Sequence, residues 1–324
     1  MARDDETRGE AGPEPLAVAA ADLLGARPLL FGLEAATGVR LRVEPAAALA
    51  GLLRRGEVDA ALIPAIDYFR LAADPAERAR SGRSPKPGGP ERPAPTQFVA
   101  LPVGAVGSAG SVGSVRLFGY AEKDRLRRVA LDPEGVTASA LARLIILRRF
   151  GAAPHFVVAG LPCEASASAK AMADGLAKQG EPGKAAPRPP DAELLAGDRA
   201  LAAERPAALW TSDLGDEWHR FTYLPFVYAF WAARADGPLD RLVPLLAAAL
   251  DRGLAAREAL ADEAAPRLGI PAEVARRHLM HEVRYDFGRR QREGLLAFYR
   301  MAAEDGLAPE GARNPFIGWP PSRR

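Results

Sequence analysis

Between residues 16 and 63, apolar runs with strand and helix periods alternate in the order β-α-β-α-β, and this restricts the fold of the whole chain. Residues 16–21 (LAVAAA) read as a short apolar strand followed by a turn at Leu24-Gly25. Residues 27–37 read as a helix, with Pro28 near its start, where a missing N–H costs nothing, and Gly38 at its close. VRLRVE (39–44) alternates as a strand, AAALAGLLRR (46–55) is a second helix ending at Gly56, and DAALI (59–63) is a buried strand stopped by Pro64. Such a run predicts a parallel sheet with helices on its faces.

The pattern resumes downstream. A Gly/Ser stretch, GAVGSAGSVGSVRLF (104–118), has glycines at every third position from Gly104 to Gly113, with Ser108, Ser111 and Ser114 interleaved. Flanking apolar runs, FVALPV and VRLFGY, read as strands that hold it as a loop. Unshielded N–H groups and hydroxyls in such a loop suit an anion or a polar ring; a plain connector has the same composition. It lacks the GK[ST] of a phosphate loop and the spacing of a dinucleotide fingerprint. Further strands are expected at 128–131, 155–160, 191–201 and 224–234. Helices are expected from Thr137, a candidate N-cap, to Phe150, and at 239–263, 271–283 and 290–305. Residues 1–14 and two low-complexity insertions, 81–96 and 164–190, have the composition of unpacked chain.

Open α/β sheets bind ligands at the carboxyl ends of their strands. Gly25-Ala26-Arg27, Pro64-Ala65, the Gly/Ser loop, Thr137-Ala138 and Gly197-Asp198 all follow strands, so position alone predicts that they gather. The start of the helix at Thr137 offers N–H groups to a carboxylate. Asp213, Asp216 and Glu217 fit either acid/base work or an acidic first helical turn. His278 and His281, with Glu282, have one-face spacing for a metal but no third partner of diagnostic spacing. Trp210, Trp218, Phe226, Tyr228, Phe230 and Trp231 read as core. His155 and His219 read as structural or exposed.

Composition narrows the partners. The chain has 324 residues, enough for two cores, and its 43 Lys+Arg against 41 Asp+Glu leave a net charge of +2 with no basic stripe. Nucleic acid is therefore not an expected partner. No apolar run is long enough for a membrane span, and the polar N-terminus makes a poor signal peptide. The single Cys163 gives neither a disulfide nor a metal cluster. These features predict a cytoplasmic small-molecule protein with no cofactor and no metal.

Seven segments together support a family resemblance: GARPLLFGLE (25–34), RRGEVDAALIPAIDY (54–68), VGSVRLFGY (112–120), VALDPEGVTASALARLI (129–145), DAELLAGDRAL (191–201), DLGDEWHRFTYLPFVYAFWA (213–232) and GLLAFYRMAAEDGL (294–307). In this order they resemble the chorismate dehydratase family of the futalosine route to menaquinone. The resemblance implies a type II periplasmic-binding-protein-like α/β fold, two lobes around a central cleft. One lobe is expected to use 15–104 plus 224–324, the other 105–223. It also implies elimination of water from chorismate to 3-[(1-carboxyvinyl)oxy]benzoate: a proton leaves C3, the C4 hydroxyl departs, and aromatisation drives the step. One of the substrate's own carboxylates is a candidate proton acceptor. Ser114 matches the family serine and is the expected catalytic residue. Gly25, Arg27, Ser111, Thr137, Ala138 and Asp198 are the expected substrate-binding residues. Gly25 stands where the family has asparagine, and Ala138 and Ala65 stand where it has serine. The alternative function is a catalytically weak or silent small-carboxylate binder on the same fold. The related dihydroxynaphthoate-forming enzyme fits the motifs less well.

Overall fold

Ten strands follow one another along the described residues, which are 14–73, 98–159 and 189–312 of a computed structural model. They are β1 Leu16–Ala20, β2 Val39–Val43, β3 Ala60–Pro64, β4 Phe98–Ser108, β5 Val115–Gly119, β6 Arg128–Leu131, β7 His155–Val158, β8 Ala192–Ala196, β9 Trp210–Asp213 and β10 Phe226–Arg234. The insertion at 81–96, nearly all of that at 164–190, and Cys163 lie outside the described residues.

Two five-stranded sheets result, ordered β2-β1-β3-β10-β4 and β7-β6-β8-β5-β9. Each begins with a parallel triple, as the β-α-β pattern requires: Val18 sits opposite Leu41 and Ala60, and Val129 opposite Phe156 and Ala192. Neither sheet is wholly parallel. β10 returns from the second half of the chain and inserts antiparallel between β3 and β4, with Phe230 opposite Ile63 and Ala105. A central strand has both edges paired, which is why the aromatic run of 224–234 is tolerated: Phe226, Phe230 and Trp231 are fully buried.

The helices are α1 Arg27–Leu30, α2 Ala46–Arg55, α3 Ala65–Ala72, α4 Val136–Ile145, α5 Asp198–Leu201, α6 Leu214–Thr222, α7 Leu239–Ala255, α8 Arg257–Leu268, α9 Ala272–Arg277 and α10 Arg289–Glu304. Among the described residues, none is long and apolar enough to cross a membrane. Several expectations need correction. The helix foreseen over 27–37 stops at Leu30, because Gly32 takes a left-handed φ of 76° and turns the chain back. The segment 191–201 is a strand only to Ala196, after which Asp198 opens α5. Thr137 is not the N-cap of α4; Gly135 holds that position and Thr137 lies inside the first turn. The expected Gly/Ser loop is largely strand. β4 runs through Gly104 and Gly107 to Ser108, leaving 109–114 as the crossing. Gly107 is required there, since a Cβ would stand 2.7 Å from the Phe226 carbonyl oxygen.

One large apolar core spans both sheets. A second, small cluster joins Leu24 to Leu260, Ala261, Ala264, Ala265, Ile270, Ala275 and Leu279. It clamps α8, α9 and the turn that follows them onto the short 3₁₀ turn Leu24–Ala26. Leu24 and Leu279 are fully buried, and each contributes about 1.5–3 kcal/mol by leaving water.

Candidate active site

The strand ends meet at one cavity of about 120 Å³. Its wall takes Leu23, Gly25 and Ala26 from the turn after β1, Pro64 from the end of β3, and Ser114 from the end of the crossing. Gly135 to Ala138 come from the start of α4, and Ala196 to Asp198 from the β8–α5 junction. Short-range contacts hold these pieces in place. Asp132 is buried, accepts from the N–H groups of Ala196 (2.9 Å) and Glu134 (3.0 Å), and pairs with Arg199. That carboxylate ties the loop before α4 to the end of β8. Across the cavity, the Ile66 N–H of α3 faces the buried Thr137 hydroxyl at 3.4 Å. Ser114 lines the cavity, and its carbonyl accepts from Gly197 N–H at 2.8 Å.

Of the residues expected to bind substrate, Gly25, Thr137, Ala138 and Asp198 therefore line this cavity together with Ser114. Arg27 and Ser111 do not. The Arg27 guanidinium points to Asp22 (3.1 Å) and Glu263 (3.5 Å). The Ser111 hydroxyl donates to Asp213 at 2.9 Å. Ala65 is fully buried at the start of α3 and is not part of the wall. Asp213 also explains the crossing. Its Oδ2 accepts from Ser111, Val112 and Gly113, and its Oδ1 caps α6 through Gly215 (2.9 Å) and Asp216 (3.2 Å). The Gly/Ser stretch does cradle a carboxylate, but one supplied by the protein. Asp216 pairs with Arg220, and Glu217 is buried between Lys123, Arg149 and Ser212. All three acids are thereby committed to structure.

The electrostatics are those of a largely apolar pocket with few polar points. No Lys or Arg is among its lining residues. Burial pushes the Asp198 carboxyl above the usual carboxylate range, against the Leu24 N–H, which Asp198 accepts at 2.9 Å and 3.2 Å. Tyr228 faces the cavity and Ser108, 3.2 Å away; burial, then the Asp213 charge, keeps its phenol protonated well above the ordinary range. Favourable charge for an anion comes from the start of α4, whose dipole points its positive end at the cavity.

Two further residues line the cavity, Tyr228 and His278. Tyr228 was hidden in an aromatic run that looked like core. The strand period gives no signal for it, since Phe226 and Phe230 on the same face of β10 are fully buried. The sequence spacing pairs His278 with His281 as candidate metal ligands. The structure parts them: His281 is exposed, whereas His278 is buried at the cavity wall. It opens a π-helical turn, His278–Glu282, a feature that often marks functional sites.

Comparisons with known proteins give the family and the fold. The menaquinone biosynthesis family matches residues 94–304. A chorismate dehydratase from Thermus thermophilus is 33% identical over 215 residues, 61% of this chain and 71% of the relative. Among solved structures, protein AF1704 from Archaeoglobus fulgidus matches with a TM-score of 0.58 at 16% identity, covering 92% of this chain and 100% of the other. The periplasmic aliphatic sulphonate binding protein SsuA from Escherichia coli has a TM-score of 0.58 at 15% identity, covering 96% and 94%. The Candida albicans CA3427 product, described as having the generic periplasmic-binding-protein fold, has a TM-score of 0.52 at 13% identity and covers 92% of each chain. At these identities the structures establish the fold alone: two α/β lobes of the periplasmic-binding-protein kind.

Proposed function

Because the chain belongs to the menaquinone-biosynthesis family, we propose that it is a chorismate dehydratase, a carbon–oxygen lyase acting on a small dicarboxylate in the cavity described above. The product in this reading is 3-[(1-carboxyvinyl)oxy]benzoate, formed in the cytoplasm on the futalosine route. The observation that carries it is the assembly of Ser114, Thr137, Tyr228 and the start of α4 around one pocket, in a chain 33% identical to a chorismate dehydratase. Ser114 orients the leaving C4 hydroxyl or a carboxylate. Thr137, Ala138 and the α4 N-terminus receive a substrate carboxylate. Gly25 and Asp198 bound the opposite wall. The proposed lobes are 15–104 with 224–324, and 105–223, with residues 105–108 staying on the first sheet as the end of β4.

A second reading has an observation of its own. Gly25 and Ala138 put no polar side chain into a pocket that already lacks Lys and Arg, which favours a silent small-carboxylate binder. The purified protein is mixed with chorismate and the aromatic product is followed by absorbance and mass. Turnover in the wild type, lowered about 10²–10³-fold in Ser114→Ala, supports the enzyme. Saturable chorismate binding without product establishes the binder instead.

A further inference from the structure

We infer that His278 is a specificity residue of this cavity, donating from Nε2 to a carboxylate of the bound ligand. The assignment rests on the dehydratase reading for the identity of that ligand, chorismate. The imidazole is 1% exposed. Its Nδ1 lies 2.9 Å from the carbonyl oxygen of Val112, within the crossing between the sheets. A carbonyl only accepts, so Nδ1 carries a proton in either charge state, and Nε2 is the atom that gains or loses the second one. Nε2 has no hydrogen-bond partner among the described residues, and His278 lines the cavity. A Cβ placed on Gly25 would stand 3.3 Å from this same Nε2, so the glycine leaves open the space in front of it.

Among the residues that line the cavity, His278 is the one side chain that can carry a positive charge. The start of α4 offers only a partial charge. An anion entering so apolar a pocket loses water and needs donors or a counter-charge in return. The groups around the ring favour a proton on it. On its own turn, Glu282 Oε2 is 3.3 Å from Nδ1, and Glu282 Oε1 is 3.0 Å from Arg277 Nε. Burial raises the Glu282 carboxyl, but its bonds to His278 and Arg277 hold it below its ordinary range. From α5 comes Asp198, raised by burial and lowered by the charge on His278. Glu134 and Tyr228 face the same cavity from the loop before α4 and from β10. The crossing and β4 present Val112 and Val106. An anion in front of Nε2 adds to these carboxyl groups, so ligand binding and protonation of the ring favour each other. The proton comes from solvent, and no bond of the ligand is made or broken.

The ring is held rigidly enough to discriminate. Val283 N–H closes the π turn on the His278 carbonyl at 3.0 Å. Leu279 is packed with Leu24, and Arg284 pairs with Gly107 of β4 through two backbone hydrogen bonds of 2.8 and 2.9 Å. The cavity then receives a dicarboxylate at two places. One carboxylate lies at the start of α4 with Thr137, and the other lies in the space between Gly25 and His278. A ligand with a single carboxylate leaves one of the two places unpaired.

The test titrates chorismate into the protein by calorimetry in buffers of different ionisation enthalpy, which counts the protons taken up. Ser114→Ala is used wherever the wild type turns the ligand over during the titration. At about pH 8, above the ordinary imidazole range, binding should take up close to one proton per ligand, and Kd should rise about tenfold per pH unit. His278→Gln keeps a donor for the Val112 carbonyl. In this variant Kd at about pH 6 should weaken tenfold or more, and both the proton uptake and the pH dependence should vanish. In turnover, KM should carry the loss while kcat stays within about threefold. A further measurement leaves His278 in place: in long-range proton–nitrogen spectra, the Nε2 signal of His278 should move to its protonated position when chorismate binds. Binding without proton uptake, an Nε2 that stays deprotonated, or a folded His278→Gln with Kd within about threefold of wild type overturns the assignment and leaves the dehydratase reading standing. Proton-linked binding without product supports the assignment and removes the dehydratase reading. A protein that neither binds nor converts chorismate removes both.

Discussion

At the scale of residues, the site depends on where carboxylates find their donors. Asp213 collects the donors of the crossing, and Asp198 holds the Leu24 N–H across the cavity. The two differ from a surface pair because burial raises both carboxyls above their ordinary range. For Asp198 the sign follows directly. The folded state binds this proton more tightly than the unfolded chain, so stability is greatest below the ordinary carboxylate pKa and declines as pH rises through the folded value. Asp198→Asn keeps an acceptor for Leu24 and removes the titration. Urea midpoints of wild type relative to the variant are expected to decline from about pH 4 towards pH 7. Parallel curves would show that burial costs the carboxylate nothing. The sequence indicated that Ser114, Gly25, Thr137, Ala138 and Asp198 follow strands. It was silent on Arg27 and Ser111 being occupied by protein carboxylates: Glu263 and Asp213 lie 236 and 102 positions away, and no local pattern aims Arg27 at Asp22.

At the scale of elements, the placing of the turn that carries Gly25 depends on how closely α1 meets α7. A Cβ on Gly253 would stand 2.0 Å from the Pro28 carbonyl oxygen. Backbone cannot give way as a flexible side chain can. Gly253→Ala should cost about 1–3 kcal/mol in a chemical melt and lower turnover more than substrate binding, because the shift reaches the turn at Leu24–Ala26. An unaltered melt would mean that the helix pair is loose. Most strands and the main helices were legible from period, proline and glycine. The ends were not where a glycine acts through tertiary contact. Gly107 sits inside β4 because another strand passes close to it, and no local pattern distinguishes that glycine from one in a loop.

At the scale of the whole molecule, the halves of the chain are joined by crossings and by ion pairs. Arg148, just beyond α4, donates to both carboxylate oxygens of Asp305 (2.9 and 2.7 Å) and to Glu304 (2.9 Å), at the end of α10. The pair is bidentate but partly exposed, so Arg148→Ala should cost about 1 kcal/mol at low salt and less at high salt. Urea midpoints at two ionic strengths check this, and a salt-independent loss would point to packing instead. The sequence by itself determined the alternation of elements, the two parallel triples and the strand-end positions that line the cavity, because periodicity, capping and breaking are local properties of the chain. Only the tertiary structure decided that both sheets are mixed, that Asp213 fills the Gly/Ser crossing, and that His278 faces Gly25. The His278–Val112 contact joins residues 166 positions apart. Local patterns carry no information about such a pairing; the packing of Leu279 on Leu24 and the bridge from Arg284 to Gly107 create it.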